Sequence, residues 1–206
     1  MIAIIDYDAG NVKSVQHAFE KLGQRAEITS DPKTILRADR VVLPGVGNFG
    51  DAVGNLRKYE MDKVLEEVVA RRMPFLGICV GMQALFEGSE ESPEVPGLGI
   101  FKGQCRRFTE KAGLKIPQIG WNSIHVMNGG DLFRDIPNGA YVYFVHSYYV
   151  DSEDKTIVKA VSEYANIIDA SVQKGSIFAC QFHPEKSGDV GLKILQNFLN
   201  WKKEET

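Results

Sequence analysis

The chain has 206 residues, 44% hydrophobic and 25% charged, which fits one ordinary domain (1–206) with a sizeable core. A formal net charge of -3, with no run of like charges, excludes the electrostatic footprint of a nucleic-acid or anionic-membrane binder. Cys79, Cys105 and Cys180 are an odd number without short metal-like spacing, which argues against a disulfide framework or zinc site and for a reducing, cytoplasmic setting. No signal-peptide pattern or membrane-length apolar run is present, and no cofactor is expected.

In chain order, Ile2 to Ile5 form a β-branched run suited to a buried parallel strand, followed by a loop, Asp6 to Asn11, containing Gly10. Val12, Val15, Phe19 and Leu22 recur at helical spacing, and Gly23 stands where a C-terminal cap belongs. Arg25 to Thr29 suit a strand, Ser30-Asp31-Pro32 a cap and first helical turn, and Val41-Val42-Leu43 a buried strand ending at Pro44. Phe49 to Arg72 read as mostly helical, with Val64, Leu65 and Val68 on the apolar face. Pro74 to Ile78 form another apolar run, with helix expected over Met82 to Phe86.

After a loop from Glu87 to Gly97, extended runs follow at Ile100 to Phe108, Ile119 to Val126, Ala140 to Val145, Ile157 to Val161, Ile168 to Gln173 and Ser176 to Phe182. Gln173-Lys174-Gly175 resembles a hairpin turn. The last element is an amphipathic helix, Val190 to Trp201, turning Leu192, Ile194, Leu195, Phe198 and Leu199 to the sheet. The pattern predicts an α/β fold: a largely parallel central sheet flanked by helices on both faces, with short, partly antiparallel strands added in the C-terminal half. Ligands bind such sheets beyond the carboxyl ends of the strands, where Asn11, Gly45 and Cys79 would lie.

Gly77-Ile78-Cys79-Val80-Gly81 has the form of a nucleophile elbow, in which a strand turns sharply into a helix and small flanking residues keep the backbone clear of the thiol. The helix N-terminus would favour a reactive thiolate. The same pattern also suits an inert core cysteine, so a base decides between the two. Of the four histidines, His17 lies in a helical pattern and His125 in a strand pattern, whereas His146 and His183 end apolar strands. Glu185 follows His183 by two residues, on the same face of an extended chain, where a carboxylate would orient the imidazole. The order Cys79, His183, Glu185 is not that of an α/β-hydrolase. Pro44-Gly45-Val46-Gly47 could be a tight turn or an oxyanion hole, with Val80 N–H as a second donor.

Taken together, these motifs resemble the class I, triad-type glutamine amidotransferases, which carry a Gly-x-Cys-x-Gly elbow, a downstream Phe-His-Pro-Glu and a Pro-Gly-x-Gly loop; the resemblance spans essentially the whole chain. Asp6-Tyr7, Gly81-Met82-Gln83, Pro117 to Asn122, Tyr143 to Tyr149 and Gln181 to Ser187 are similar to the branch serving histidine biosynthesis; relatives serving anthranilate or GMP synthesis usually have histidine at Met82. Asp8 departs from the glycine common there. The resemblance implies a flavodoxin-like fold and hydrolysis of L-glutamine through a thioester on Cys79, with His183 and Glu185 completing the triad. It also implies an oxyanion hole from Gly45, Val46, Gly47 and Val80, and substrate recognition by Gln83, Ser147 and Tyr148. Ammonia would pass to a (β/α)8-barrel cyclase of the HisF type in a heterodimer, docked near Asn11, Trp121 and Tyr143. Competing readings are a glutaminase subunit of another synthase (aminodeoxychorismate, anthranilate or pyridoxal phosphate) and a non-catalytic regulatory subunit.

Overall fold

A strand buried at every position has both faces covered, and this holds for Ile2–Ile5 (β1) and Phe75–Cys79 (β4) in the computed structural model, which describes residues 1–127 and 129–202. The elements after β1 are α1 (Val12–Lys21), β2 (Ala26–Thr29), α2 (Pro32–Leu36), β3 (Arg40–Gly45), α3 (Phe49–Lys58) and α4 (Met61–Ala70); after β4 comes α5 (Val80–Gln83). The second half adds β5 (Gly88–Ser89), β6 (Gly103–Arg107), β7 (Gln118–Ser123), β8 (His125–Val126), β9 (Tyr141–His146) and β10 (Tyr148–Ser152). It closes with β11 (Val158–Glu163), β12 (Ile167–Lys174), β13 (Ile177–Cys180) and α6 (Gly188–Asn200).

The main sheet has eight strands in the order β2-β1-β3-β4-β13-β12-β11-β8. The pairings from β2 through β13 are parallel and those beyond are antiparallel, as the α/β pattern predicts. Separate sheets are formed by β10-β6-β5 and by the antiparallel ribbon β7-β9. One hydrophobic core runs from Ile2 to Phe198. Short polar side chains start the helices: Asn48 Oδ1 accepts from Gly50 N at 2.7 Å, and Asp31 caps α2 with Pro32 in the first turn.

Several boundaries differ from the periodic reading. The stretch Phe49 to Arg72 is two helices, broken where Glu60 adopts φ 56°. The left-handed residue costs about 1–2 kcal/mol, and the bend lets both helices bury an apolar stripe, Phe49, Ala52, Val53 and Leu56 on one and Met61, Val64, Leu65 and Val68 on the other. Neither Gly nor Pro marks the break. The helix after Cys79 is a single turn, Val80–Gln83, rather than Met82 to Phe86. Strand β10 went unpredicted, Ile119 to Val126 divides into β7 and β8, and the hairpin pairs Lys174 with Ile177, which puts the turn at Gly175-Ser176. In α6, Ile194, Leu195 and Phe198 are buried as expected. Leu192 and Leu199 lie at the rim instead, while Asn197 is buried and donates to the Leu132 and Arg134 carbonyls.

The start of α6 is pressed against the turn that follows His183: a Cβ on Gly191 would lie 1.9 Å from the Pro184 carbonyl oxygen. Gly191→Ala is therefore expected to lower folding stability by about 1–3 kcal/mol, read as a lower urea midpoint, because backbone and not a flexible side chain must yield.

Candidate active site

The carboxyl ends of β3, β4 and β13 converge with the end of β9 on a cavity of about 260 Å³, lined among others by Val46, Gly47, Cys79, Val80, Gln83 and His183. Cys79 ends β4 with φ 55° and ψ -113°, a conformation L-residues avoid, which stores strain at the turn. The flanking glycines are explained by neighbouring backbone: a Cβ on Gly81 would meet the Leu43 oxygen at 2.1 Å, and one on Gly77 the Gly81 oxygen at 2.9 Å. With α5 only one turn long, the expected helix-dipole contribution is small, leaving the local amides just after Cys79.

His183, buried beside Cys79, carries its Nδ1 at 2.8 Å from Glu185 Oε1, with both side chains almost completely enclosed. Their pairing does not arise from an extended strand: His183 is extended, but Pro184–Lys186 form a 3-10 turn that brings the carboxylate back to the ring. That turn is fastened by Ser187, whose Oγ donates to the His183 carbonyl at 2.6 Å and accepts from Tyr143 N at 2.9 Å. Burial works against charge on the imidazole, but the interactions with Cys79 and Glu185 outweigh it and raise its pKa to about 10. Nε2, the nitrogen left for Cys79, makes no hydrogen bond among the described residues, and Glu185 Oε2 is likewise unpaired. Looser hydrogen bonding is common in unliganded acyl-transfer sites. Such a set can take a proton from a thiol and return one to a leaving group.

One carbonyl sets the orientation of the surrounding polar groups. Tyr148 O can only accept, and Gln83 Nε2 lies 2.9 Å from it and 3.0 Å from Gln181 Oε1. Gln181, 0% exposed, must then point its own amide nitrogen at the Cys79 sulfur, at 3.6 Å. The same carbonyl lies 2.8 Å from His146 Nδ1, which makes that nitrogen the protonated one and leaves Nε2 a buried, unpaired acceptor. Burial, reinforced by the facing His183, lowers the His146 pKa to about 4 despite the Tyr148 bond.

Of the residues singled out in the sequence, Cys79, His183, Glu185, Gln83, Ser147 and Tyr148 do meet here, Tyr148 contributing its carbonyl. Val46, Gly47 and Val80 line the cavity; Gly45 stands one residue back, paired with Cys79 in the sheet. His17 lies half-buried on α1 and His125 exposed on β8, both away from the cavity lining. The sequence reading gave no role to Gln181, His146 or Glu91. Gln181 was legible in part, two residues before His183 along the same segment. Glu91 was not: it reaches the cavity from the loop after β5 and accepts from Phe49 N at 2.7 Å. No cluster of metal-ligating side chains occurs among the described residues.

Comparison with known proteins places the chain in a family. The family model for class-I glutamine amidotransferases matches residues 3–201, and the chain belongs to that family. It is 47% identical over 202 residues to "Imidazole glycerol phosphate synthase subunit HisH 1" of Methanococcus maripaludis, covering 97% of this chain and 98% of that protein. It is 49% identical over 200 residues to the HisH subunit of Thermosynechococcus vestitus, covering 96% and 95%. Within the family the chain therefore stands among the HisH subunits. The fold is shared more widely: the structure of PurLQS from Thermotoga maritima superposes with a TM-score of 0.74 at 20% identity, covering 97% of each chain.

His146 makes the site acid-sensitive. Its folded-state pKa lies below the ordinary value of 6.5, so the stabilisation is complete above pH 6.5 and is lost as pH falls toward 4. The loss is on the order of 3 kcal/mol, and urea unfolding of wild type and His146→Phe from pH 7 to 4 is expected to show a flatter pH dependence in the variant.

Proposed function

We propose that this chain is the glutaminase subunit of an imidazole glycerol phosphate synthase, hydrolysing L-glutamine to L-glutamate and passing ammonia to a cyclase in histidine biosynthesis. The observation that carries the reading is the meeting of Cys79 and His183 in one small cavity, with Glu185 bound to the far side of the imidazole, in a chain whose relatives bear that subunit's name. A cavity of about 260 Å³ suits a ligand of amino-acid size.

In this mechanism His183 takes the Cys79 proton, and the sulfur attacks the substrate's side-chain amide carbon. The oxyanion is held by backbone N–H groups of Val80 and the Gly45–Val46 turn, with Gly47 allowing the loop its bend at φ 92°. His183 then protonates the departing ammonia, leaving a thioester, and activates the water that hydrolyses it. Glu185 holds the ring on Nδ1 throughout. Both amide hydrogens of Gln83 are already engaged, so the atom it offers substrate is Oε1, an acceptor suited to the α-ammonium group and not the carboxylate. Glu91, in the same lining, adds the matching negative charge.

The partner in this reading is a (β/α)8-barrel cyclase forming a heterodimer. The ribbon β7-β9 supports this, since the residues lining the cavity, Pro117 and Val145 to Tyr148, adjoin it, and it carries Ile119 63% exposed and Trp121 55% exposed. Tyr143 packs edge-on against Trp121, while Asn11 caps α1 through Ser14 N and has less freedom to contact a partner. We assign the chain a cytoplasmic location on the reducing setting that its three unpaired cysteines suit; no helix among the described residues is long and apolar enough to cross a membrane.

Glutamate release from glutamine is expected to be weak for the chain alone, strongly stimulated by the cyclase with its nucleotide ligand, and absent in Cys79→Ala. Unchanged hydrolysis by Cys79→Ala overturns the mechanism, and stimulation by a different synthase overturns the pathway. Glu91→Gln is expected to raise KM roughly tenfold with kcat little changed, as for a group that binds ground and transition states alike.

A further inference from the structure

The loop that carries the proposed oxyanion donors has a base and a tip of different character. At its base, Pro44 and Gly45 still belong to β3 and pair with Ile78 and Cys79. A Cβ on Gly45 would meet Gly81 N at 2.4 Å, Val80 C at 2.9 Å and the Tyr7 hydroxyl at 3.0 Å, so these groups crowd one point. At its tip, Val46 is well exposed and Gly47, with open space around it, has φ 92°. Beyond the tip the chain is anchored again, Asn48 capping α3 and Phe49 N donating to Glu91; on the near side the direction of the tip's amides is set from the base.

Tyr7 stands beneath that base. It lies two residues after β1, is 1% exposed, and donates its hydroxyl to the Pro44 carbonyl at 2.8 Å. Burial, and then the nearby Cys79 sulfur, raise its pKa, so the phenol keeps the proton it donates. The loop that follows fixes its place: Asp8 adopts φ 59° and accepts from the Tyr59 hydroxyl, and Gly10 packs against Pro44, where a Cβ would come within 3.3 Å. The αL conformation of Asp8, where glycine would be the ordinary choice, is thus compensated by a side-chain bond from the end of α3.

We infer that Tyr7 is a positioning residue for glutamine hydrolysis: by holding the Pro44 carbonyl it fixes the peptide plane from which the Gly45–Val46 amide is directed at the developing oxyanion. The inference rests on the oxyanion assignment above and adds a residue outside the cavity lining. A carbonyl and the next N–H share one rigid plane, so without the bond to Pro44 O that plane is held only by the last β3–β4 pairing, and a small tilt of it is passed on to the Gly45–Val46 peptide at the start of the tip. The charge to be held exists only in the transition state, so misalignment acts on kcat and not on substrate binding.

The test is Tyr7→Phe, which keeps the ring and removes only the hydroxyl, assayed as glutaminase in the complex with the cyclase and its nucleotide ligand. The expected result is a fall in kcat of roughly tenfold with KM within about twofold of wild type, a fraction of the loss that follows removal of an oxyanion donor outright. Alkylation of Cys79 by iodoacetamide forms no oxyanion, and its rate is expected to be unchanged. That second measurement separates aiming of the loop from general damage: if alkylation and kcat fall together, or if kcat is unchanged, Tyr7 does not act in this way. Wild-type protein in the same assay tests the glutaminase reading separately, since its failure to release glutamate would overturn that reading whatever Tyr7 does.

Discussion

The close approach of β3 to the turn after β4 is the constraint on which the site depends. Gly45 and Gly81 leave no room for a Cβ between the two backbones, and the Leu43 and Gly81 main-chain atoms occupy the space side chains would need. This contact sets the thiol at the end of a parallel strand and the glycine loop beside it in a single packing decision. Because Gly45 is paired with Cys79 in the sheet and Gly81 follows that residue by two positions in α5, neither backbone can relax far without disturbing the end of the sheet. The strained torsions of Cys79 persist for the same reason: the neighbours over-determine them.

A second level of order comes from polar groups with no freedom in their roles. The Tyr148 carbonyl receives an amide N–H from Gln83 and an imidazole N–H from His146, and the Gln83 bond to Gln181 turns the Gln181 amide toward the sulfur. Each donor assignment follows from the one before, starting from an oxygen that can only accept. The two buried histidines are thereby differentiated. His183, beside the Cys79 sulfur and the Glu185 carboxylate, is driven toward the charged form, whereas burial keeps His146 neutral despite its bond to a carbonyl. Pushing the two apart in this way lets one imidazole carry protons while the other serves as a fixed polar wall.

Much of this was legible in the residue order. Short apolar runs and the period-3.6 pattern give the alternation of strands and helices through β4, since buried parallel strands and amphipathic helices are local signals, and Gly-x-Cys-x-Gly and His-Pro-Glu mark the strand ends proposed to carry the chemistry. Local pattern failed where geometry depends on neighbours. The break at Glu60 has no glycine or proline to announce it; β10 exists because β6 is there to pair with it; and His183 meets Glu185 through a 3-10 turn closed by Ser187 and β9.

The sequence by itself determined the class of fold, the candidate nucleophile and base of the proposed reaction, and the glycines that let backbone pack against backbone, because each is written in residue type and spacing over a few positions. Tertiary structure alone decided that Glu91 enters the cavity from a distant loop, that Gln181 faces the sulfur, and that Tyr7 reaches Pro44 across 37 positions of sequence. These are contacts between segments far apart in the chain, and a hydrogen bond made by one side chain to a remote carbonyl leaves no periodic trace in the order of residues.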